Sequence, residues 1–209
     1  MHEEGLRRIV GIDEAGRGAW AGPVAAGAVC LPIENADLSD ILAGVRDSKM
    51  MTPRQRERLV DTIKATAVAW GVGSASNHEI DELGIVPATK TAMRRAWEHL
   101  KIQFPRFEPD CLFLDGMKWE EAPVTCAQKH IVRGDRETLT IAAASVIAKV
   151  WRDAYMRELS NQYPEYGFAQ HKGYGTVSHR RALFGEGPTA IHRRSFSPMK
   201  DLLLHQDLI

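Results

Sequence analysis

Residues 11–18, Gly-Ile-Asp-Glu-Ala-Gly-Arg-Gly, set two adjacent carboxylates, Asp13 and Glu14, at the end of an apolar run and beside an arginine flanked by glycines. Acids crowded into one site repel each other, so they shift their pKa values or bind cations. Further acids stand at Asp115, closing the run CLFLD, and at Asp135, just past QKHIV. An all-oxygen ligand set suits a hard ion such as Mg²⁺ or Mn²⁺ better than zinc. By composition alone an acidic pair at a strand end is more often a cap or a surface feature. The metal reading requires that acids far apart in sequence converge.

The elements that would bring them together are legible in outline. RRIVGID reads as a short strand entering a glycine-rich turn, and GPVAAGAVCLP as a second strand, so the two form a hairpin. Side chains alternate along a strand, so Asp13 and Glu14 share a side only where the strand ends or bulges, and Gly16 and Gly18 supply such an ending. Thr52 with Gln55 forms a capping box, Pro53 takes the first helical position, and a third strand follows in ATAVAWGVGSAS. Ser76 with Glu79 caps a short helix that Gly84 can end, and Pro87 opens a longer helix through about Leu100. CLFLD and QKHIV are two more strands, and a long helix runs from about Thr138 to Ser160. Shorter helices begin near Thr176 and at Ser197-Pro198.

The order β-β-α-β-α-α-β-β-α implies an α/β fold with a sheet partly parallel and partly hairpin-built. In such sheets chemistry gathers at the carboxyl ends of strands, near a switch in strand order. If the first and fourth strands are parallel neighbours, Asp13, Asp115 and Asp135 converge.

Composition narrows the class. A chain of 209 residues that is 44% hydrophobic can bury a full core. The 3 cysteines, Cys30, Cys111 and Cys126, lack the spacing of a disulfide framework or a zinc ribbon. The charged start MHEEGLRR is unlike a signal peptide, and no apolar run reaches the ~18 residues of a membrane span. The expectation is a soluble cytoplasmic protein. Lys+Arg and Asp+Glu both total 27, giving no net charge, yet Lys172, Arg180, Arg181, Arg193, Arg194 and Lys200 face a single acid, Glu186, between His171 and Lys200. Such a basic segment can bind a polyanion locally or simply be a solvated surface.

The motifs DEAGRG, GPVAAGAV, DSK, LDG, GD, IAAASVIAKVWRD, HKGYGT and HRRSF, from Asp13 to Phe196, follow the order of the ribonuclease H type 2 family. The chain resembles its bacterial branch, the ribonucleases HII. The resemblance implies a ribonuclease H-like mixed five-stranded sheet flanked by helices, with a catalytic core over residues 1–165 and a small basic helical extension over 166–209. It implies a hydrolase that cuts the RNA strand of RNA/DNA hybrids, and cuts 5′ of single ribonucleotides in duplex DNA, with Mg²⁺ or Mn²⁺ as two ions during catalysis.

Carried over residue by residue, the resemblance makes Asp13, Glu14, Asp115 and Asp135 the catalytic and metal-holding acids, with Asp13 nearest a bridging role. It places Gly16, Arg17 and Gly18 at the ribose 2′-hydroxyl, Tyr174 on the following sugar, and Ser48 and Lys49 near the phosphates. Ser145, Lys149 and Arg152 share one side of the long helix, where they could face the site or the phosphates, or form a solvated stripe with a Lys149–Asp153 pair. Met50, Met51, Met117, Arg133 and Arg136 depart from the commoner family pattern without replacing a carboxylate. A monomer is expected. The tail DLLLHQDLI loosely resembles peptides that dock on sliding clamps, although a terminal helix packed on its own domain fits its spacing better. A different metal nuclease on the same fold, or a silent hybrid-binding module, are the alternatives; the first would lack the ribose-sensing pair and the second at least one acid.

Overall fold

The computed structural model describes residues 5–206. Five strands, β1 (Ile9–Ala15), β2 (Val24–Cys30), β3 (Ala69–Ala75), β4 (Cys111–Asp115) and β5 (Ala127–Ile131), form one sheet in the order β3-β2-β1-β4-β5. β1, β2 and β3 pair antiparallel, whereas β1 pairs β4, and β4 pairs β5, in parallel. The hairpin is as the sequence predicts, and β1 and β4 are the parallel neighbours on which convergence of the acids depends. The direction of pairing changes at β1, which therefore carries a carboxyl end beside that of β4.

The helices are α1 (Leu38–Ile41), α2 (Pro53–Thr66), α3 (Asn77–Leu83), α4 (Ile85–Gln103), α5 (Gly134–Glu137), α6 (Leu139–Gln162), α7 (Phe168–His171), α8 (Val177–Glu186) and α9 (Met199–Gln206). Both capping boxes form: Thr52 accepts from the Gln55 amide, Ser76 accepts from the Glu79 amide, and each glutamine or glutamate answers the cap's own N–H. α4 starts at Ile85, two residues before Pro87, because the amides of a first helical turn have no partner to lose. The single-turn helices α1, α5 and α7 are too short for their periodicity to register.

α6 covers one sheet face and α4 the other, both at close range. A Cβ added at Gly27 would stand 2.3 Å from the Ala144 carbonyl oxygen of α6, and one at Gly73 would stand 2.3 Å from the Ala96 nitrogen of α4. The α4 side buries Val10, Ile12, Ala92, Met93, Leu112 and Leu114, and the α6 side buries Val29, Leu31, Ile63, Ala143 and Ile147. The alanine run of α6 thus brings its backbone almost onto the sheet, with Ser145 in the same buried stretch.

Cys30, Cys111 and Cys126 are free thiols, and burial pushes Cys30 up to about 12. Among the described residues no helix is long and apolar enough to cross a membrane. The end of the clamp-like tail, residues 207–209, lies outside the described residues.

Candidate active site

β1 and β4 run in parallel with Ile12 opposite Leu114, so Asp13 and Asp115 leave the sheet side by side. Asp135 joins them from α5, which follows β5 through Arg133 in the left-handed conformation. The Gly134 amide ties α5 to β4 by donating to Asp115 Oδ1 at 2.8 Å. Asp13, Asp115 and Asp135 each offer a carboxylate oxygen within 4.8 Å of the others, a grouping able to hold a metal ion.

Like charges at that spacing, largely out of water, resist ionisation. Burial, then Glu14 and Asp115, push Asp13 up to about 8 against the opposing effects of the Ser145 hydroxyl and the Glu14 amide. Burial, then Asp47 and Asp115, also raise Asp135, with Lys49 opposing. Asp13 Oδ1 accepts from the Glu14 amide at 2.7 Å, but its Oδ2 is buried with no hydrogen-bond partner, and so is Glu14 Oε2. Buried carboxylate oxygens without donors are costly, and a cation is a partner that could satisfy them.

Glu14 enters differently from the expectation. β1 does not end or bulge there: Asp13 pairs with Gly27, Glu14 with Ala26 and Ala15 with Ala25 in unbroken register. Cross-strand partners share a face, so Asp13 lies on the α6 side and Glu14 on the α4 side. Glu14 stands outside the three-carboxylate grouping and accepts from Arg17 Nη1 at 3.1 Å. Burial raises its pKa, Arg17 works against that, and Asp115 adds to it.

The DSK turn approaches from the other side. Asp47, buried and not singled out from the sequence, caps the 3₁₀ turn Ser48–Met50 by accepting from the Lys49 amide at 2.9 Å, and its other oxygen takes Arg136 Nε at 3.4 Å. An aspartate heading a turn is a common cap, and its place at the head of DSK is the one further signal the sequence carries. Arg56 of α2 fixes the turn by donating to the carbonyls of Ser48 and Met51, at 2.7 and 2.5 Å. The Ser48 hydroxyl meets that of Ser145 at 2.8 Å. Lys49 Nζ lies 4.0 Å from Asp135 Oδ2; burial works against its charge, yet Asp13, Asp47, Asp135 and Asp115 together hold its pKa above the ordinary lysine value.

The glycine loop after β1 is gripped by two buried arginines. Arg193 donates from Nε to Gly22 O, from Nη1 to Arg17 O and from Nη2 to Gly16 O, at 3.0, 2.7 and 2.8 Å. Arg152 donates to the carbonyls of Pro23, Lys172 and Ala21, at 2.8, 2.9 and 3.1 Å. Both are 0% exposed, so Arg152 does not face phosphates and Arg193 leaves the basic surface segment to which its sequence position assigned it. Gly16 has φ +94°, and a Cβ there would sit 2.0 Å from Arg152 Nε. Lys149 pairs with Asp153 at 2.5 Å, and Lys149 and Arg152 lie 5.6 and 5.3 Å from the centre of the Tyr174 ring.

A cavity of about 190 Å³ is lined by Glu14, Ala15, Gly16, Arg17, Gly18, Ser48, Lys49, Lys149 and Tyr174. It gathers every residue the sequence assigns to substrate contact. A larger hollow of about 460 Å³ beside Trp97 and Cys126 gathers no acidic cluster, so size does not mark the site here.

The model of the family Ribonuclease HII matches residues 10–199. The chain belongs to the ribonuclease HII family. It is 49% identical over 198 residues to a ribonuclease HII of Roseiflexus castenholzii, covering 95% of this chain and 85% of that one. A ribonuclease HII of Dehalococcoides mccartyi is 47% identical over 202 residues, covering 97% and 92%. Among solved structures, the ribonuclease H2 of Pyrococcus horikoshii superposes with a TM-score of 0.75 at 25% identity, covering 95% of this chain and 98% of that one. This ribonuclease HII is therefore an endoribonuclease of the H type 2 kind, a hydrolase whose substrate is nucleic acid.

Proposed function

We propose that this ribonuclease HII hydrolyses the RNA strand of RNA/DNA hybrids and cuts on the 5′ side of single ribonucleotides embedded in duplex DNA. The observation that carries the reading is the Asp13–Asp115–Asp135 cluster, with an unpartnered buried oxygen on Asp13, beside a cavity lined by Gly16, Arg17, Gly18 and Tyr174. The carboxylates fit divalent ions, Mg²⁺ or Mn²⁺: all their donors are oxygens, burial and neighbouring carboxylates disfavour the Asp13 anion until a cation offsets them, and Asp13 Oδ2 and Glu14 Oε2 lack donors. When bound, such ions supply charge stabilisation at the scissile phosphate and an activated water.

The chain's own residues supply the rest. Asp13, Asp115 and Asp135 hold the ions, and Glu14 completes the set from the opposite sheet face. Lys49 neutralises phosphate charge that the acids would otherwise repel. The peptide groups of Gly16, Arg17 and Gly18, in a loop where Arg193 holds the Gly16 and Arg17 carbonyls, read the ribose 2′-hydroxyl, and Tyr174 packs against the next sugar. The 2′-hydroxyl is then a recognition handle and not a reactant. Water attacks phosphorus, the bond to the upstream O3′ breaks, and the products carry 3′-hydroxyl and 5′-phosphate ends.

The test is a labelled duplex with one ribonucleotide, beside an all-RNA strand paired with DNA and an all-DNA duplex, with Mg²⁺ or Mn²⁺ supplied separately. Cleavage 5′ of the ribonucleotide with a 3′-hydroxyl end supports the reading. A 2′,3′-cyclic phosphate, or equal cutting of the all-DNA duplex, overturns it.

A further inference from the structure

Behind Tyr174 lies a group of buried histidines. His171, His179 and His192 are 8%, 0% and 1% exposed. His171 stacks on His179 with ring centres 4.4 Å apart, and His192 tilts against His179 at 5.2 Å, within a shell that includes Trp20, Tyr166 and Phe168. The charged or titratable groups around them are Lys172 beside His171, Arg180 over the Trp20 ring, and Tyr166. Burial holds all three histidines below the ordinary imidazole range, His179 and His192 at about 4, so all are neutral at pH 7.

A neutral imidazole has one donor and one acceptor nitrogen, and the partners here decide which is which. The Thr189 amide donates to His192 Nδ1 at 2.9 Å, so the proton of His192 is on Nε2. His192 Nε2 lies 3.0 Å from His179 Nε2, which must then accept. The proton of His179 is therefore on Nδ1, 3.0 Å from the Tyr174 carbonyl oxygen, which can only accept. The Thr189 amide at one end and the Tyr174 carbonyl at the other demand the same tautomer. His171 is set separately: its Nδ1 accepts from the Gly173 amide at 3.2 Å, and its Nε2–H donates to the Tyr166 carbonyl at 2.6 Å.

We infer that His179 is a positioning residue for Tyr174: a one-way run of hydrogen bonds from the Thr189 amide through His192 and His179 to the Tyr174 carbonyl fixes that peptide, and with it the ring that lines the substrate cavity. The inference rests on the proposed role of Tyr174 at the RNA–DNA junction. The histidines touch neither the acids nor the substrate cavity. Their effect falls on which substrate is cut and not on metal binding.

The wild-type enzyme supplies the first test. Imidazole ¹⁵N–¹H correlation spectra at pH 7, assigned by variants of single histidines, should show His179 as the Nδ1–H tautomer and His171 and His192 as Nε2–H. An Nε2–H or charged His179 overturns the relay. The second test uses amide replacements. His179→Asn keeps an N–H near the Nδ1 position, whereas His179→Gln moves the amide to the Nε2 position, and both lose the ring stacking. The ratio of kcat/KM on a single-ribonucleotide duplex to that on an all-RNA strand should fall about tenfold in His179→Gln and recover in His179→Asn. Equal ratios in the two variants overturn the proposal. If neither folds, His192→Asn against His192→Gln makes the same comparison one step further back, with His192→Gln the variant that keeps the ratio. Failure of the Tyr174 reading is distinguishable: Tyr174→Ala would then leave the ratio unchanged, and the proposal would fall with it even where the tautomers are as assigned.

Discussion

The acid cluster and the arginine-held loop adjoin in sequence and in space, and both bury charge, but they resolve it in opposite ways. Arg152 and Arg193 are 0% exposed, and all three nitrogen positions of each guanidinium find a backbone carbonyl. Burial still pulls Arg193 down to about 9, yet none of its three nitrogens is without a partner. Asp13, by contrast, is 3% exposed with one oxygen unpartnered. A buried charge that its own chain satisfies is architecture. One left open is a place where a cation can bind.

The largest effect should follow from closing that open position. Asp13→Asn or Asp115→Asn removes charge stabilisation worth several kcal/mol in the transition state, at about 1.4 kcal/mol per factor of ten, so cleavage should fall about 10²–10³-fold. The fold should tighten. Asp13 rises from 3.8 to about 8, so the folded state holds its proton where the unfolded state has lost it. Stability of the metal-free protein therefore falls as pH rises from about 4 to about 8, and is regained when a cation is added. Asp13→Asn should flatten that slope and raise Tm at pH 8 more than at pH 5, as read by thermal melts in chelator. A variant with near-normal turnover, or a lower Tm at pH 8, would contradict the contrast.

Breaking the arginine grip should act on the fold first. Arg193→Lys keeps the charge but replaces a fork of three donors with a point charge that cannot reach Gly16, Arg17 and Gly22 together. Losing two hydrogen bonds worth about 1.5–3 kcal/mol each should lower Tm by roughly 6–24 °C, at about 2–4 °C per kcal/mol for a chain of this size. Metal binding, measured by calorimetry on the folded protein, should change little. An unmoved Tm would mean that the loop holds itself.

The two regions also differ in how they are written in the sequence. The acids are legible because the motifs that carry them, DEAGRG, LDG and GD, follow the order of a known family, and because the Gly22-Pro23 boundary and the capping boxes place the strands and helices around them. The arginine grip is not, because its acceptors are peptide carbonyls, which every residue possesses and no sequence pattern marks. Arg193 consequently read as part of a basic segment, and Arg152 as facing the site, the phosphates or solvent. Asp47 was hidden in a 3₁₀ turn too short to show a period, and the opposite-face entry of Glu14 depends on β1 keeping its register through Ala15. Local rules name the elements, whereas polar contacts across more than a hundred residues belong to the assembled fold.

Gly16→Ala sharpens the contrast from inside the loop. An alanine at φ +94° costs about 1–3 kcal/mol, and its Cβ would strike an Arg152 side chain that three carbonyls prevent from moving aside. Stability and cleavage should fall together. Urea titration of the folded variant would register the first loss, and unchanged stability would show that Arg152 is free to shift.

The smallest effect on the fold is expected two residues on. Gly18 is exposed, and a Cβ there meets nothing within 4 Å, so the protein itself gives no reason for glycine at that position. Gly18→Ala should keep stability within about 0.5 kcal/mol of the parent. It lines the same cavity as Tyr174, however, so any reason for glycine must come from outside the protein, from a ligand that approaches the backbone closely. Cleavage of a single-ribonucleotide duplex should fall about tenfold, because small misplacements at a reacting group are costly, while metal affinity stays unchanged. If activity is also unaffected, the loop does not read the ribose through Gly18. A loss of stability would instead place a protein contact where the structure leaves open space.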